Sequence, residues 1–196
     1  MQLTTVHKTT DALHFERCLI DHCSPVLAGL KSANLMSFAF TDPTAFVQMF
    51  AQYRRQFSKK GVSLTMLRYT GQNALIYVYR AAKLKADWAK PGVAEFFQNE
   101  GYPSTDVKEC IYHLRKRILS QEDFPHEIGI FLGYPLHDVV GFIENEGCNY
   151  HCVGCWKVYA GVCDAQKMFA KYKKCKTVYS KLFSDGRPIM RLTVAA

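Results

Sequence analysis

The stretch from Val62 to Arg80 constrains the fold more than any other part of the chain. Val62, Leu64 and Met66 alternate with Ser63 and Thr65, Thr70-Gly71-Gln72-Asn73 supplies turn residues, and Leu75, Tyr77 and Tyr79 then alternate with Ile76 and Val78. Period-two alternation bounded by turn residues is the signature of a β-hairpin, here at about 62–80. In the returning strand both alternating sets are apolar, so that strand needs cover on both of its faces. A lone hairpin is marginal in water, and the remainder of the chain has to supply two covering layers. The composition allows it: 48% of the 196 residues are hydrophobic, and a chain of this length buries roughly 70% of its unfolded surface. Charged residues at 21% and aromatics at 13% exclude disordered, collagen-like and coiled-coil classes.

Helical spacing supplies the covers. Leu13, Phe15, Cys18, Leu19 and His22 suit a helix from about residue 10 to 22, and Ser24-Pro25 reads as the start of a second, short helix toward Leu30. A strand is expected from Leu35 to Phe40. Asp42-Pro43 then opens a helix whose stripe is Phe46, Val47, Phe50, Tyr53 and Phe57, ending at Gly61. From 81 to 146 the pattern is helical and broken by prolines, which predicts a helical sub-bundle. Within it a corner recurs: Gly101-Tyr102-Pro103 runs to Asp106-Val107, and Gly133-Tyr134-Pro135 runs to Asp138-Val139. In each copy Gly suits the left-handed end of one helix, and Pro and Asp suit the first turn of the next. Toward the end, Cys155 to Tyr159 suits a short strand, Asp164 caps a patterned helix running to Asp185-Gly186, and Pro188 to Val194 reads as a closing strand. The element order predicts an α/β (or α+β) fold, with 1–196 as a single globular domain built on a mixed sheet of four or five strands.

Four blocks carry a family resemblance: His22-Cys23-Ser24-Pro25-Val26-Leu27-Ala28-Gly29, Phe124-Pro125-His126-Glu127-Ile128-Gly129-Ile130-Phe131-Leu132-Gly133-Tyr134-Pro135, Asp138 to Phe142, and Trp156-Lys157-Val158-Tyr159. With these the chain resembles an uncharacterised bacterial family, a domain of unknown function found mainly in anaerobic Gram-positive bacteria. The resemblance implies a cytoplasmic, single-domain bacterial protein. It brings no established activity, cofactor or catalytic residue, so whether the protein is an enzyme stays open at this point.

Eight cysteines lie at 18, 23, 110, 148, 152, 155, 163 and 175, and half of them fall between 148 and 163. The N-terminus, Met1 to Thr10, is polar and shows no signal-peptide core, so the thiols are expected to be reduced. Cys148, Cys152 and Cys155 have the CxxxCxxC spacing of radical S-adenosylmethionine enzymes. In that superfamily the motif precedes most of a barrel, whereas here too little chain follows it, and Gly154 stands where those enzymes place an aromatic residue. The same thiols with Cys163, or with His151 as a substitute, could close a tetrahedral zinc site or hold an iron–sulfur cluster. The plainer alternative is a set of small reduced thiols in a Gly-rich turn. Cys23, ahead of the expected Ser24-Pro25 helix start, is the other candidate: a thiol at a helix N-terminus is acidified, His126 (or His22) could act as its base, and Glu127 or Asp138 could orient the imidazole. Against that, Cys is among the residues most often buried.

Twenty-five Lys and Arg against seventeen Asp and Glu give a net charge of +8. The basic foci are Arg54-Arg55, Lys59-Lys60, His113 to Arg117, and Lys167, Lys171, Lys173, Lys174 and Lys176. They suit a solvated face or a polyanion-binding one. No run of ~18 apolar residues is present to span a membrane, and no Gly-rich phosphate loop occurs. The functional expectation is a small cytoplasmic accessory or binding protein. The alternatives are a thiol- or metal-dependent protein using Cys148, Cys152 and Cys155 or Cys23, and a basic polyanion-binding module.

Overall fold

Helix α1 (Thr10–Leu27) leads into strand β1 (Ala33–Ala39), helix α2 (Pro43–Ser58) and the hairpin of β2 (Ser63–Thr70) and β3 (Asn73–Tyr79). Five helices follow: α3 (Ala81–Trp88), α4 (Val93–Asn99), α5 (Val107–Ser120), α6 (Ile128–Phe131) and α7 (Leu136–Glu144). A small hairpin of β4 (Cys152–Val153) and β5 (Lys157–Val158), the long helix α8 (Val162–Ser184) and a final turn α9 (Ile189–Leu192) complete the chain. This is a computed structural model, and it describes residues 10–120 and 124–195; the polar start of the chain, residues 1–9, lies outside them.

The three-stranded sheet has the order β1-β3-β2, with every pairing antiparallel, so the doubly apolar strand is the central one. Its alternation sorts its side chains between two cores. Ala74, Ile76 and Val78 face α1 and α2 in one cluster with Phe15, Leu19, Phe38, Phe50 and Phe57. Leu75, Tyr77 and Tyr79 face the 81–146 helices, among Trp88, Phe97, Leu114 and Phe131. A bulge between Met66 and Arg68 turns Leu67 to the helical side, where it is fully buried. The helical sub-bundle at 81–146 therefore forms one cover of the sheet, as the sequence leads one to expect.

Several local expectations change in detail. The fold is mixed α and β, but its five described strands divide into a three-stranded and a two-stranded antiparallel sheet rather than one mixed sheet. Pro188 to Val194 forms no strand: Pro188 is the N-cap of α9, and Val194 N–H donates to the Leu27 carbonyl at 3.0 Å. Ser24-Pro25 does not start a helix either, because α1 runs unbroken to Leu27 with Pro25 in its last turn. A proline there removes a single helical N–H, and the end of the helix is secured from outside. The guanidinium of Arg80, 4% exposed, donates to Val26 O at 2.7 Å, Leu27 O at 2.9 Å and Val194 O at 2.7 Å. Arg80 follows Ile76 and Val78 at period two, which aims it at α1. In α2, Asp42 accepts from the backbone N–H of Thr44 and Ala45 as an N-cap should. The buried stripe there is Phe46, Phe50, Tyr53 and Phe57, while Val47 lies in the open. The cap of α8 is Gly161 in the left-handed region, with Asp164 inside the first turn and paired to Lys167 at 3.3 Å.

Candidate functional site

The recurring glycine corner builds two different things. Both Gly101 (φ 78°) and Gly133 (φ 74°) are left-handed as expected. After the first, Asp106 is exposed and caps α5 by accepting from the Lys108 and Glu109 amides. After the second, Asp138 is buried, and its carboxylate reaches across to the β4–β5 hairpin. It accepts from Trp156 Nε1–H at 2.7 Å, Tyr159 N–H at 2.7 Å and Ala160 N–H at 3.1 Å. Three donors from neighbouring residues converge on one carboxylate, so the hairpin is fastened to α7 by charge-assisted hydrogen bonds. Tyr134 stacks on Trp156 with ring centroids 4.8 Å apart, and Phe169 of α8 meets the indole edge-on at 4.6 Å. The hairpin turn can approach α8 this closely because residue 154 is glycine. A Cβ there would lie 2.2 Å from the Phe169 ring, so the aromatic residue that the radical enzymes place here would have to displace that ring.

Between this hairpin and the α6–α7 corner lies a cavity of about 640 Å³. Its walls include the rings of Phe124, Tyr134, Phe142 and Trp156, with His126 and Lys157 as polar wall residues. The volume is in the range of small-molecule sites, which are mostly apolar with few polar groups. His126 meets Phe142 edge-on at 5.2 Å. Lys157 Nζ donates to Gly147 O at 2.8 Å and lies over the rings of Phe142 and Tyr150, at 5.5 and 5.1 Å. Asp138 also borders the cavity, but its oxygens are committed to the hairpin. At the rim, burial pushes the Cys155 thiol up from its usual range, with Lys31 pulling the other way. Among the described residues the site offers aromatic surfaces and no activated thiol.

The sequence candidates are placed as follows. Cys23 is fully buried in the α1 core, and burial pushes its thiol up to about 12. Because α1 is continuous there, Cys23 has no helix N-terminus beside it. Glu127 is buried elsewhere, accepting from Tyr102 O–H at 2.9 Å with Arg117 Nε 3.1 Å away. His126, next to it in sequence, faces the aromatic cavity instead. The three side chains thus have separate surroundings. Cys152 is half-buried in the small cluster around Trp156, and Cys148, Cys155 and Cys163 are exposed on the turn before β4, the hairpin tip and the first turn of α8. Among the described residues no group of three or more His, Cys, Asp or Glu side chains is placed to hold a metal ion. The β4–β5 pairing explains why: it sets Cys152 opposite Val158 and leaves Cys155 at the turn, so neighbouring thiols are spread along a hairpin.

This placement fixes an expected labelling pattern. In native protein at neutral pH an alkylating reagent should modify Cys148 and Cys163 quickly, Cys155 more slowly because burial raises its thiol, and Cys23, Cys110 and Cys175 only after unfolding. Peptide mapping reads this directly, and native-state labelling of Cys23 at the rate of Cys148 would contradict the burial described here. The sequence offered Asp138 as an orienting group for an imidazole beside Cys23, and Trp156 only as part of a block; the carboxylate instead accepts from Trp156, and that bond, spanning 18 residues, left no spacing signal.

Among the described residues no helix is long and apolar enough to cross a membrane. No curated protein and no solved structure matches the chain. A family model does match, over residues 19–193, a span that holds the whole aromatic cavity and the hairpin fastened to it. The chain therefore belongs to the family described as protein of unknown function DUF3793.

Proposed function

We propose that the protein is a binding module for a small, planar, largely apolar molecule, held between the α6–α7 corner and the β4–β5 hairpin. The observation that carries this reading is the cavity of about 640 Å³ walled by four aromatic rings. Aromatic faces give a planar ligand offset or edge-on contacts on each side, each worth about 0.5–1.5 kcal/mol beyond area burial. Its polar groups suit orientation: His126 can donate or accept, and Lys157 can face an acceptor. This reading fits the accessory or binding role expected from the sequence.

The experiment is titration with a planar, uncharged fluorescent dye such as Nile red. The expected result is one saturable site with enhanced emission, weakened at least tenfold in Ile128→Trp, which fills the cavity from its wall. Leu119→Trp, on an exposed site of α5, should bind as the native chain does. Dye binding equal in all three proteins would remove the cavity as the site.

A further inference from the structure

On the other side of Tyr134 and Cys155 lies a second cavity, of about 380 Å³, between α1, β1 and α8. Its charged walls are Lys31, Lys173 and Lys176 against the single carboxylate of Asp21, with His22 at the side. Lys31 is the unusual member. It is 7% exposed, although lysine is almost never fully buried without a partner charge. Among the described residues its contacts are neutral: Nζ donates to Asn34 Oδ1 at 2.9 Å and lies over the Tyr134 ring at 5.1 Å. Both neighbours are themselves held. Asn34 Nδ2 donates to the His22 carbonyl, and Tyr134 O–H donates to Cys155 O at 3.2 Å while its ring stacks on Trp156. Burial lowers the ammonium from its usual range to about 8, so it is mostly protonated at neutral pH. An ammonium has three donors, and Asn34 takes one.

A buried cation that makes no ion pair among the described residues, in a cavity lined by two further lysines and a single carboxylate, costs stability unless something anionic completes it. We infer that this cavity binds the phosphate group of a small organic phosphate, with Lys31 as the buried anchor and Lys173 and Lys176 closing over the outer oxygens. Three lysines lining one cavity suit a compact, multiply charged oxyanion, which lysine meets as a point charge. A carboxylate would leave most of that charge unmatched. The lysines of α8 are then not equivalent: Lys173 and Lys176 serve the cavity, while Lys167 is paired to Asp164 at the exposed start of the helix.

The test is calorimetric titration of the native chain with inorganic phosphate, repeated with sodium acetate. Saturable one-site binding of phosphate, at least tenfold tighter than acetate, is expected. Lys31→Met should weaken it tenfold or more, and Lys173→Ala with Lys176→Ala several-fold, while Lys167→Ala leaves it unchanged. Without phosphate, Lys31→Met should also melt at a higher temperature than the native chain, because the uncompensated cation is gone. Absence of saturable phosphate binding, equal affinity for acetate, or equal weakening by all the lysine changes would overturn the assignment. If Lys31→Met does not fold, the exposed pair Lys173 and Lys176 against Lys167 decides it. Because the dye titration reads the far side of Tyr134, failure of one site is distinguishable from failure of the other.

Discussion

Asp138→Ala is expected to lower stability by about 3–5 kcal/mol and to release the β4–β5 hairpin. Three donors, the Trp156 indole N–H and the Tyr159 and Ala160 amides, converge on this 2% exposed carboxylate. Each buried donor left unmatched costs about 1–3 kcal/mol, and the total falls short of the sum because the loosened hairpin admits water. For a chain of this size the loss corresponds to a melting temperature lower by about 10 °C. Asp138→Asn keeps the shape and one carbonyl acceptor but loses the charge, so a smaller loss of about 1–3 kcal/mol is expected. Denaturant melts give the magnitude, and hydrogen exchange at the Tyr159 and Ala160 amides gives the location. Unchanged protection at those two amides in Asp138→Ala would show that the carboxylate does not fasten the hairpin.

Arg80→Met should be comparably severe, by about 3–5 kcal/mol, with its effect at the opposite cover of the sheet. The guanidinium satisfies the last two carbonyls of α1, reaches Val194 O and, more weakly, Lys60 O at 3.3 Å. Hydrogen bonds from a charged donor contribute about 1.5–3 kcal/mol each, and the positive charge also complements the C-terminal end of the α1 dipole. Offsetting this, burial disfavours the charged guanidinium and draws its pKa down, so removal recovers part of the desolvation cost. Arg80→Lys should restore less than half of the loss, because one ammonium on a flexible stem cannot fan out to carbonyls from two separate segments. Full stability in the lysine variant would contradict this geometry.

The parts of the fold that were legible in the sequence are those encoded by short-range pattern. The hairpin is legible because its alternation lies within twenty residues, and its doubly apolar return strand identifies itself as central. The Asp42-Pro43 cap and the Phe46, Phe50, Tyr53 and Phe57 stripe are legible for the same reason. Pro25 misled because a proline near the last turn of a helix and one at the first turn look alike locally; what decides is Arg80, more than fifty residues away, which receives the α1 carbonyls. Pro188 to Val194 has strand-like residues, yet no sheet edge reaches it, and it docks on the end of α1 instead. The cysteine cluster was visible as spacing, but not the pairing that sets Cys152 opposite Val158 and leaves Cys155 in the turn, nor the close approach of Gly154 to Phe169. Asp138 shows the limit most clearly, since Asp106 occupies the matching place in the repeated corner and yet stays exposed. Lys31 carried no signal at all, because its burial is made by Asn34 nearby and by Tyr134, a hundred residues on.

The most direct test of the aromatic cavity is an amide and indole NMR spectrum of the ¹⁵N-labelled protein during titration with planar aromatic fragments. The chain has two tryptophans, so its two indole N–H signals separate the cavity from the core. Trp156 stands at the cavity wall with its N–H on Asp138, and Trp88 is buried among Phe97 and Phe131. The expected result is that binding fragments shift the Trp156 indole and the backbone amides of Val153, Gly154 and Lys157 together, while the Trp88 indole stays in place. Fragments that bind the protein while leaving the Trp156 indole unmoved, or a full fragment set that shifts none of these signals, would contradict the assignment of this cleft as the binding site.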